Sequence, residues 1–401
     1  MSVPNLRFTG FDGDWKESRL KDLALKITDG THDTPVVQKE GIPFLTAINV
    51  KDGFINYDDI GYVDEITHKK IYERCNPEKD DLLIVNIGAG TATCARNIVD
   101  YQFSLKNVAL VKPNRNLLNP IFLEQIQRKN SSRLFTSLTS GGAQPFLSLK
   151  EIGKLLIKYP SLEEQTKIAS FLSAVDEKIS QLTQKHELLS QYKQGMMQKL
   201  FSQQFRFKAD DGSEFGEWEN TVLGDIADIV GGGTPSTNNE EYWSGDVVWL
   251  TPSEINQKFI GESKRTISEL GVQKSSAKKL PIGTILFTSR ATIGEVAIAI
   301  AEVTTNQGFQ SFISNEKTFN EFLYYWIVNN KKSFIERASG STFLEISKSK
   351  IQPMEISLPC LEEQTKIANF LSAIDQKIEV VAQQIEQAKT WKKGLLQQMF
   401  V

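Results

Sequence analysis

The sequence predicts an α+β fold: two variable domains related by a pseudo-two-fold and separated by two long antiparallel coiled-coil helices. Three observations carry this. LEEQTKIASFLSAVDEKI at 162–179 returns as LEEQTKIANFLSAIDQKI at 361–378, with 15 of 18 positions identical and an offset of 199 residues. Apolar residues then repeat with a 4-3 spacing through both constant segments, a sustained coiled-coil signal. Short β-prone runs separated by Gly, Ser, Thr and Asn fill the intervening sequence, which marks strand-rich, loop-decorated domains.

The repeat extends over the whole chain. Tyr192-Lys-Gln-Gly matches Trp391-Lys-Lys-Gly, and Leu6-Arg7-Phe8 matches Phe205-Arg206-Phe207. Small gaps then align Trp15, Leu20, Asp22 and Thr31 with Trp218, Leu223, Asp225 and Thr234. A unit of this length is a duplicated domain and not a solenoid repeat. The expected boundaries are a first variable domain at 1–157, a central constant helix at 158–201, a second variable domain at 202–357 and a terminal constant helix at 358–401.

Each constant segment starts after a proline, Pro160 or Pro359, with acidic pairs Glu163-Glu164 and Glu362-Glu363 in the first turn. Both features suit a helix N-terminus, and Ser161 with Glu164 reads as a capping box. The seam runs through Ile168, Leu172, Val175, Ile179, Leu182, His186, Leu189, Lys193, Met196 and Leu200, with counterparts from Ile367 to Met399. A long amphipathic helix is unstable alone in water, so each constant helix supplies the other's partner. In the variable domains strands are expected at Pro43–Leu45, Leu82–Val85, Val108–Val111, Val247–Leu250, Thr284–Thr288 and Val296–Ile300, with helices at Pro120–Lys129 and Asn320–Asn330.

Composition bounds the chemistry. Net charge is −3, but Asp210–Asp246 holds ten acids and no base, whereas Lys258–Arg290 holds seven bases and two acids. A local basic patch, and not the mean, steers a polyanion. The chain shows no apolar run long enough for a membrane span and no secretory h-region, so a cytoplasmic protein without a membrane is expected. Cys75, Cys94 and Cys360 form no CxxC and read as buried thiols. His32, His68 and His186 have no metal-ligand spacing, and GxxxxGK[ST] does not occur. Asn119-Pro-Ile-Phe122 faintly resembles an amino-methyltransferase motif, but Asn then Pro is also ordinary helix-start chemistry.

What remains is binding chemistry at matching places in the halves. Hydroxyl, amide and basic side chains on small-residue loops suit duplex DNA: Arg can fork onto guanine, Asn or Gln onto adenine, and Ser, Thr or Lys onto phosphates. The candidates are Thr31, His32, Asn86, Arg96, Asn107, Gln144 and Lys150 in the first half. In the second they are Thr234, Ser236, Ser289, Arg290, Gln307, Thr342, Lys348 and Lys350.

The Glu-Glu-Gln-x-x-Ile-Ala-x-Phe-Leu pattern, with Asp and Lys-Ile downstream, resembles the specificity subunit of Type I restriction–modification enzymes. The Gly283–Gly294 run also resembles a target recognition domain; its counterpart at Asp80–Thr91 lacks the arginine. The resemblance implies two target recognition domains, each reading half of a split DNA site. It implies constant helices that set the spacing and dock two methyltransferase subunits, with Glu163, Gln165, Phe171, Glu362, Gln364 and Phe370 as expected contacts. It implies no catalysis and no cofactor in this chain. S-adenosylmethionine, ATP and Mg would serve the methyltransferase and endonuclease/translocase subunits. A stand-alone methyltransferase-nuclease and a scaffold without a DNA role are the rival readings.

Overall fold

The two constant segments form helices of 40 and 39 residues, Leu162–Phe201 and Leu361–Met399. The computed structural model describes residues 3–88, 90–139, 145–340 and 344–400. The chain divides into two compact units, Met1–Gln184 with Ala382–Val401, and Lys185–Val381. Each unit therefore contains a piece of both long helices. Inside the first unit Lys392 Nζ lies 2.5 Å from Asp176 Oδ1; inside the second, Lys193 Nζ lies 2.5 Å from Asp375 Oδ1. As residue number rises along the first helix, its partners on the second fall, so the helices are antiparallel. The two seam lysines, odd in an apolar stripe, are explained by these aspartates. The seam also drifts: Met197 is buried where the strict heptad expects Met196, as a 3.6-residue turn drifts against a 3.5 repeat.

In the first unit the main sheet orders its strands as Ala24–Asp29, Val108–Pro113, Leu82–Val85 and Cys94–Arg96, all antiparallel to their neighbours. In the second unit the order is Ala227–Gly231, Gln310–Ser314, Ile285–Phe287 and Val296–Ala299, extended by Phe259–Ile260. Both units add a three-stranded sheet with one antiparallel and one parallel pairing, centred on Ile42–Thr46 or Trp243–Leu250. The halves thus share topology where little sequence identity remains.

Both faces of the main sheets are covered, which is why their strands read as unbroken apolar runs. Leu82, Ile84, Ala109 and Val111 point one way, into a core with Phe122, Leu123 and Ile126 of the helix Pro120–Thr139 and Ile168, Leu172 and Val175 of the long helix. Leu83, Val85, Val108 and Leu110 point the other way, onto Leu45, Phe103 and Leu105. Each of these Val, Leu, Ile and Phe side chains contributes roughly 1.5–3 kcal/mol when fully buried. Cys75 and Cys94 are buried, and burial pushes the Cys75 thiol up to about 12. Cys360 is exposed, against the expectation of a buried thiol, because it sits at the turn before the second long helix. Among the described residues no helix is long and apolar enough to cross a membrane.

Candidate nucleic-acid interface

Strand register collects the polar loops at one end of each main sheet. In the first unit Asp29 pairs with Ala109 and Val85 with Val108. The chain leaving Asp29, the chain leaving Val85 and the turn entering Val108 therefore converge. That places Thr31, His32, Asn86 and Asn107 together. His32 Nε2 lies 2.9 Å from Asp29 Oδ2, and Nδ1 lies 3.3 Å from Asn107 Oδ1. Asp29 also pairs with Arg74, and Lys106 donates to Thr34. Asn107 sits at φ 55°, a left-handed conformation asparagine tolerates. The close packing explains Gly30, where a Cβ would meet Leu105 O at 2.1 Å.

In the second unit the same construction uses the chain leaving Gly231, the chain leaving Phe287 and the turn entering Gln310. Thr234 bonds Gln307, and both are exposed. Arg290 is exposed and pairs with Glu345 across a backbone bridge, Nε to Oε2 at 3.7 Å. Lys350 Nζ donates to Arg337 O and Ser339 Oγ, each at 3.1 Å. Ser236, Lys348 and Lys150 are exposed. Gly232 repeats the close approach of Gly30: a Cβ would lie 2.0 Å from Asn306 O.

Several expected contacts do not reach this surface. Arg96 pairs in register with Leu82, at the far end of its sheet, and its guanidinium is held by Asp80 and by Glu124, whose own pKa burial raises. Asn86 and Ser289 share the sheet end but are buried, their backbone carbonyls taken by Leu147 N and Ile346 N. Their side chains do not face solvent, and Asn86 Nδ2 and Oδ1 and Ser289 Oγ have no hydrogen-bond partner among the described residues. Gln144 and Thr342 lie outside the described residues. The basic run also disperses: Lys258 is half-enclosed with Glu321 and Tyr325, and Lys279 pairs with Glu269 and Glu302. Sequence reasoning missed Arg265. Its guanidinium stacks 3.8 Å from the Trp243 ring centroid, beside the loop whose Gly233 and Ser236 carbonyls accept from Trp249 and Trp243. A tryptophan pair in the strand Trp243–Leu250 was the available signal.

The family model for the Type I restriction modification DNA specificity domain matches residues 12–191 and again 216–390. The chain belongs to this family. The Type I restriction enzyme MjaIX specificity subunit of Methanocaldococcus jannaschii is 40% identical over 190 residues, covering 45% of this chain and 44% of that protein. The putative MjaX specificity subunit of the same organism is 28% identical over 398 residues, covering 96% of this chain and 92% of the relative. The crystal structure of a Type I restriction–modification S subunit from M. genitalium superposes with a TM-score of 0.62 at 16% identity, covering 100% of this chain and 99% of that one. That likeness concerns the fold.

The near-invariant run of this specificity-family chain has an internal job in each unit. Glu164 is buried and takes Arg7 in a two-pronged ion pair, 2.7 Å at each oxygen. Glu363 does the same for Arg206, and its Oε2 also accepts from Trp218 Nε1 at 3.0 Å. Only half of the expected capping box forms: Ser161 Oγ accepts from Glu164 N, while Arg7 claims the Glu164 carboxylate. Gln165 is fully buried, accepting from Asn119 N and donating to Leu117 O and Pro160 O. Gln364 accepts from Phe319 N and donates to Lys317 O and Pro359 O. These inward bonds correct the expectation that Gln165 and Gln364 face a partner. Phe171 and Phe370 are half-buried, edge-on to Phe8 and Phe207. Glu163 and Glu362 remain exposed. Asn119 acts as a helix cap, Oδ1 accepting from Ile121 N and Phe122 N.

Proposed function

We propose that this chain is the DNA-reading component of a cytoplasmic Type I restriction–modification complex. Each unit reads one half of a bipartite duplex site through its sheet-end loops. The observation that carries this is the duplication of one loop scaffold with divergent side chains: the bonds that shape the loops recur, and the groups they present differ. A scaffold built twice for different readings fits two different half-sites. The constant helices set the spacing and dock two methyltransferase subunits, which supply S-adenosylmethionine-dependent methylation. Endonuclease/translocase subunits supply ATP- and Mg-dependent steps. The chain performs no chemistry of its own, in keeping with Asn119 being spent as a cap.

Selection from a random duplex pool, with the methyltransferase partner present, tests the proposal. The expected product is two short specified sequences separated by a fixed unspecified spacer, bound with an affinity that falls as salt rises. A single contiguous site, or no selection at all, sinks it. Calorimetry on the isolated chain is expected to show no uptake of S-adenosylmethionine.

A further inference from the structure

The bridge that holds Arg290 opposite Glu345 in the second unit has a counterpart in the first, and there Ile87 stands opposite Phe146. The flanking bonds establish the correspondence. Leu147 N donates to Asn86 O at 2.9 Å, as Ile346 N donates to Ser289 O at 3.0 Å. Gly88 N donates to Pro145 O at 3.1 Å, as Ala291 N donates to Leu344 O at 3.3 Å. Gly88 and Ala291 even share a positive φ, 101° and 62°. One scaffold carries a charged pair in one unit and an apolar pair in the other.

Phe146 is 51% exposed, at the sheet end that also carries His32, Asn86 and Asn107. Its position is fixed: Thr91 Oγ1 donates to Gly88 O at 2.7 Å and to Pro145 O at 3.1 Å, tying the two sides of the bridge together. A large apolar side chain held outward at a place where its counterpart is charged calls for an apolar partner. Ile87 and Phe146 can neither donate nor accept a hydrogen bond with their side chains. The one apolar feature a base pair presents in the major groove is the thymine 5-methyl group.

We propose that Ile87 and Phe146 form an apolar reader of a thymine 5-methyl group in the half-site of the first unit. This rests on the DNA-reading function proposed above and names the chemistry of one of its contacts.

Deoxyuridine differs from thymidine by that methyl alone, so the test alters the DNA and leaves the protein intact. With the bipartite site selected as above, Arg290→Ala identifies the second unit's half-site by the position it relaxes; the other half-site belongs to the first unit. Each thymine there is then replaced by deoxyuridine in turn, and binding of the full chain with its methyltransferase partner is titrated. One replacement is expected to weaken binding about fourfold, the weight of one buried methyl group at ~0.8 kcal/mol, and the others to change little. In Phe146→Ala the same replacement is expected to cost less than twofold, and Phe146→Leu to restore part of the penalty. A half-site with no specified A·T pair, or one indifferent to deoxyuridine at every position, overturns the inference alone. Phe146→Ala that weakens all duplexes equally while keeping the deoxyuridine penalty also overturns it, since that is the behaviour of a wedge or a packing residue. Absence of any sequence-selective binding overturns the proposed function and this inference together.

Discussion

Arg290, proposed above to read DNA, and Asp176, which holds a helix pair together, carry their charges in different settings. The Arg290 side chain is 47% exposed and its pairing with Glu345 spans 3.7 Å. An exposed pair of this kind is worth about 0–1 kcal/mol, so Glu345 aims the guanidinium without consuming it. If Arg290 forks onto a guanine, Arg290→Ala costs about 1–3 kcal/mol and relaxes specificity at one position of one half-site. Fluorescence titration against duplexes varied at single positions reads this; unchanged affinity and unchanged salt slope would refute both base and phosphate contact. Asp176 holds: its carboxylate takes buried Lys392, Gln125 and Arg128. Burial pushes the Lys392 ammonium below its usual range, a pull Asp176 partly offsets. Asp176→Asn is expected to cost about 1–3 kcal/mol, less than a fully buried pair because the carboxylate is one-third exposed. The sign with pH follows from the lowered lysine pKa. The penalty is full while Lys392 is charged and shrinks as pH rises through the folded value toward the unfolded value of about 10.4. Urea midpoints of Asp176→Asn at neutral and alkaline pH, with Lys392→Met added to relieve the stranded charge, check both claims.

At the scale of elements, one buried glutamine ties each variable domain to the start of its long helix, beside the Arg7–Glu164 or Arg206–Glu363 ion pair. Gln165 and Gln364 each accept from the residue just before a domain helix, Asn119 or Phe319, and donate to two carbonyls. Replacing Gln165 by leucine removes the partner of one buried and two part-buried backbone groups, and a buried group left unsatisfied costs about 1–3 kcal/mol. Hydrogen exchange is expected to quicken around Leu117–Phe122 and to stay unchanged around Lys317–Phe322, with Gln364→Leu giving the converse. Equal effects in both places would show that the units do not stand independently. This fastening also marks where the sequence could be read and where it could not. The long helices, the strand Leu82–Val85 and the capped helix start at Pro120 were legible, because periodicity, burial on both faces and caps are local signals. The repeat itself was legible, but its cause was not. Glutamine and glutamate in a first turn look like solvated polar residues until Arg7, 157 residues away, is brought to Glu164. Arg96 failed for the same reason: alignment by sequence could not tell which end of a sheet it occupies. The tryptophan pair of Trp243–Leu250 was visible, but its partner Arg265 lies on another strand, so no spacing links the two.

At the scale of the whole molecule, if the two long helices are the ruler for the DNA spacer, their length is the variable to change. One heptad inserted into each helix, after Leu182 and after Val381, keeps both seams in phase. It leaves the pairs Asp176–Lys392 and Lys193–Asp375 and both glutamine fastenings intact, since the insertions fall between them. The added length is about 10 Å at ~1.5 Å per residue. With one duplex turn of about 10.5 base pairs spanning ~34–36 Å, the preferred half-sites are expected to move apart by about 3 base pairs. The half-site sequences should not change, because the sheet-end loops are untouched. Three base pairs also turn the second half-site by nearly a third of a helical turn, so the insertion variant is expected to bind its new site more weakly than the parent binds its own. Inserting the heptad into one helix only breaks the pairing register and should cost folding before it changes spacing. Site selection with the methyltransferase partner present decides the matter. A folded double-insertion variant that recovers the original spacer would show that something other than helix length sets the distance.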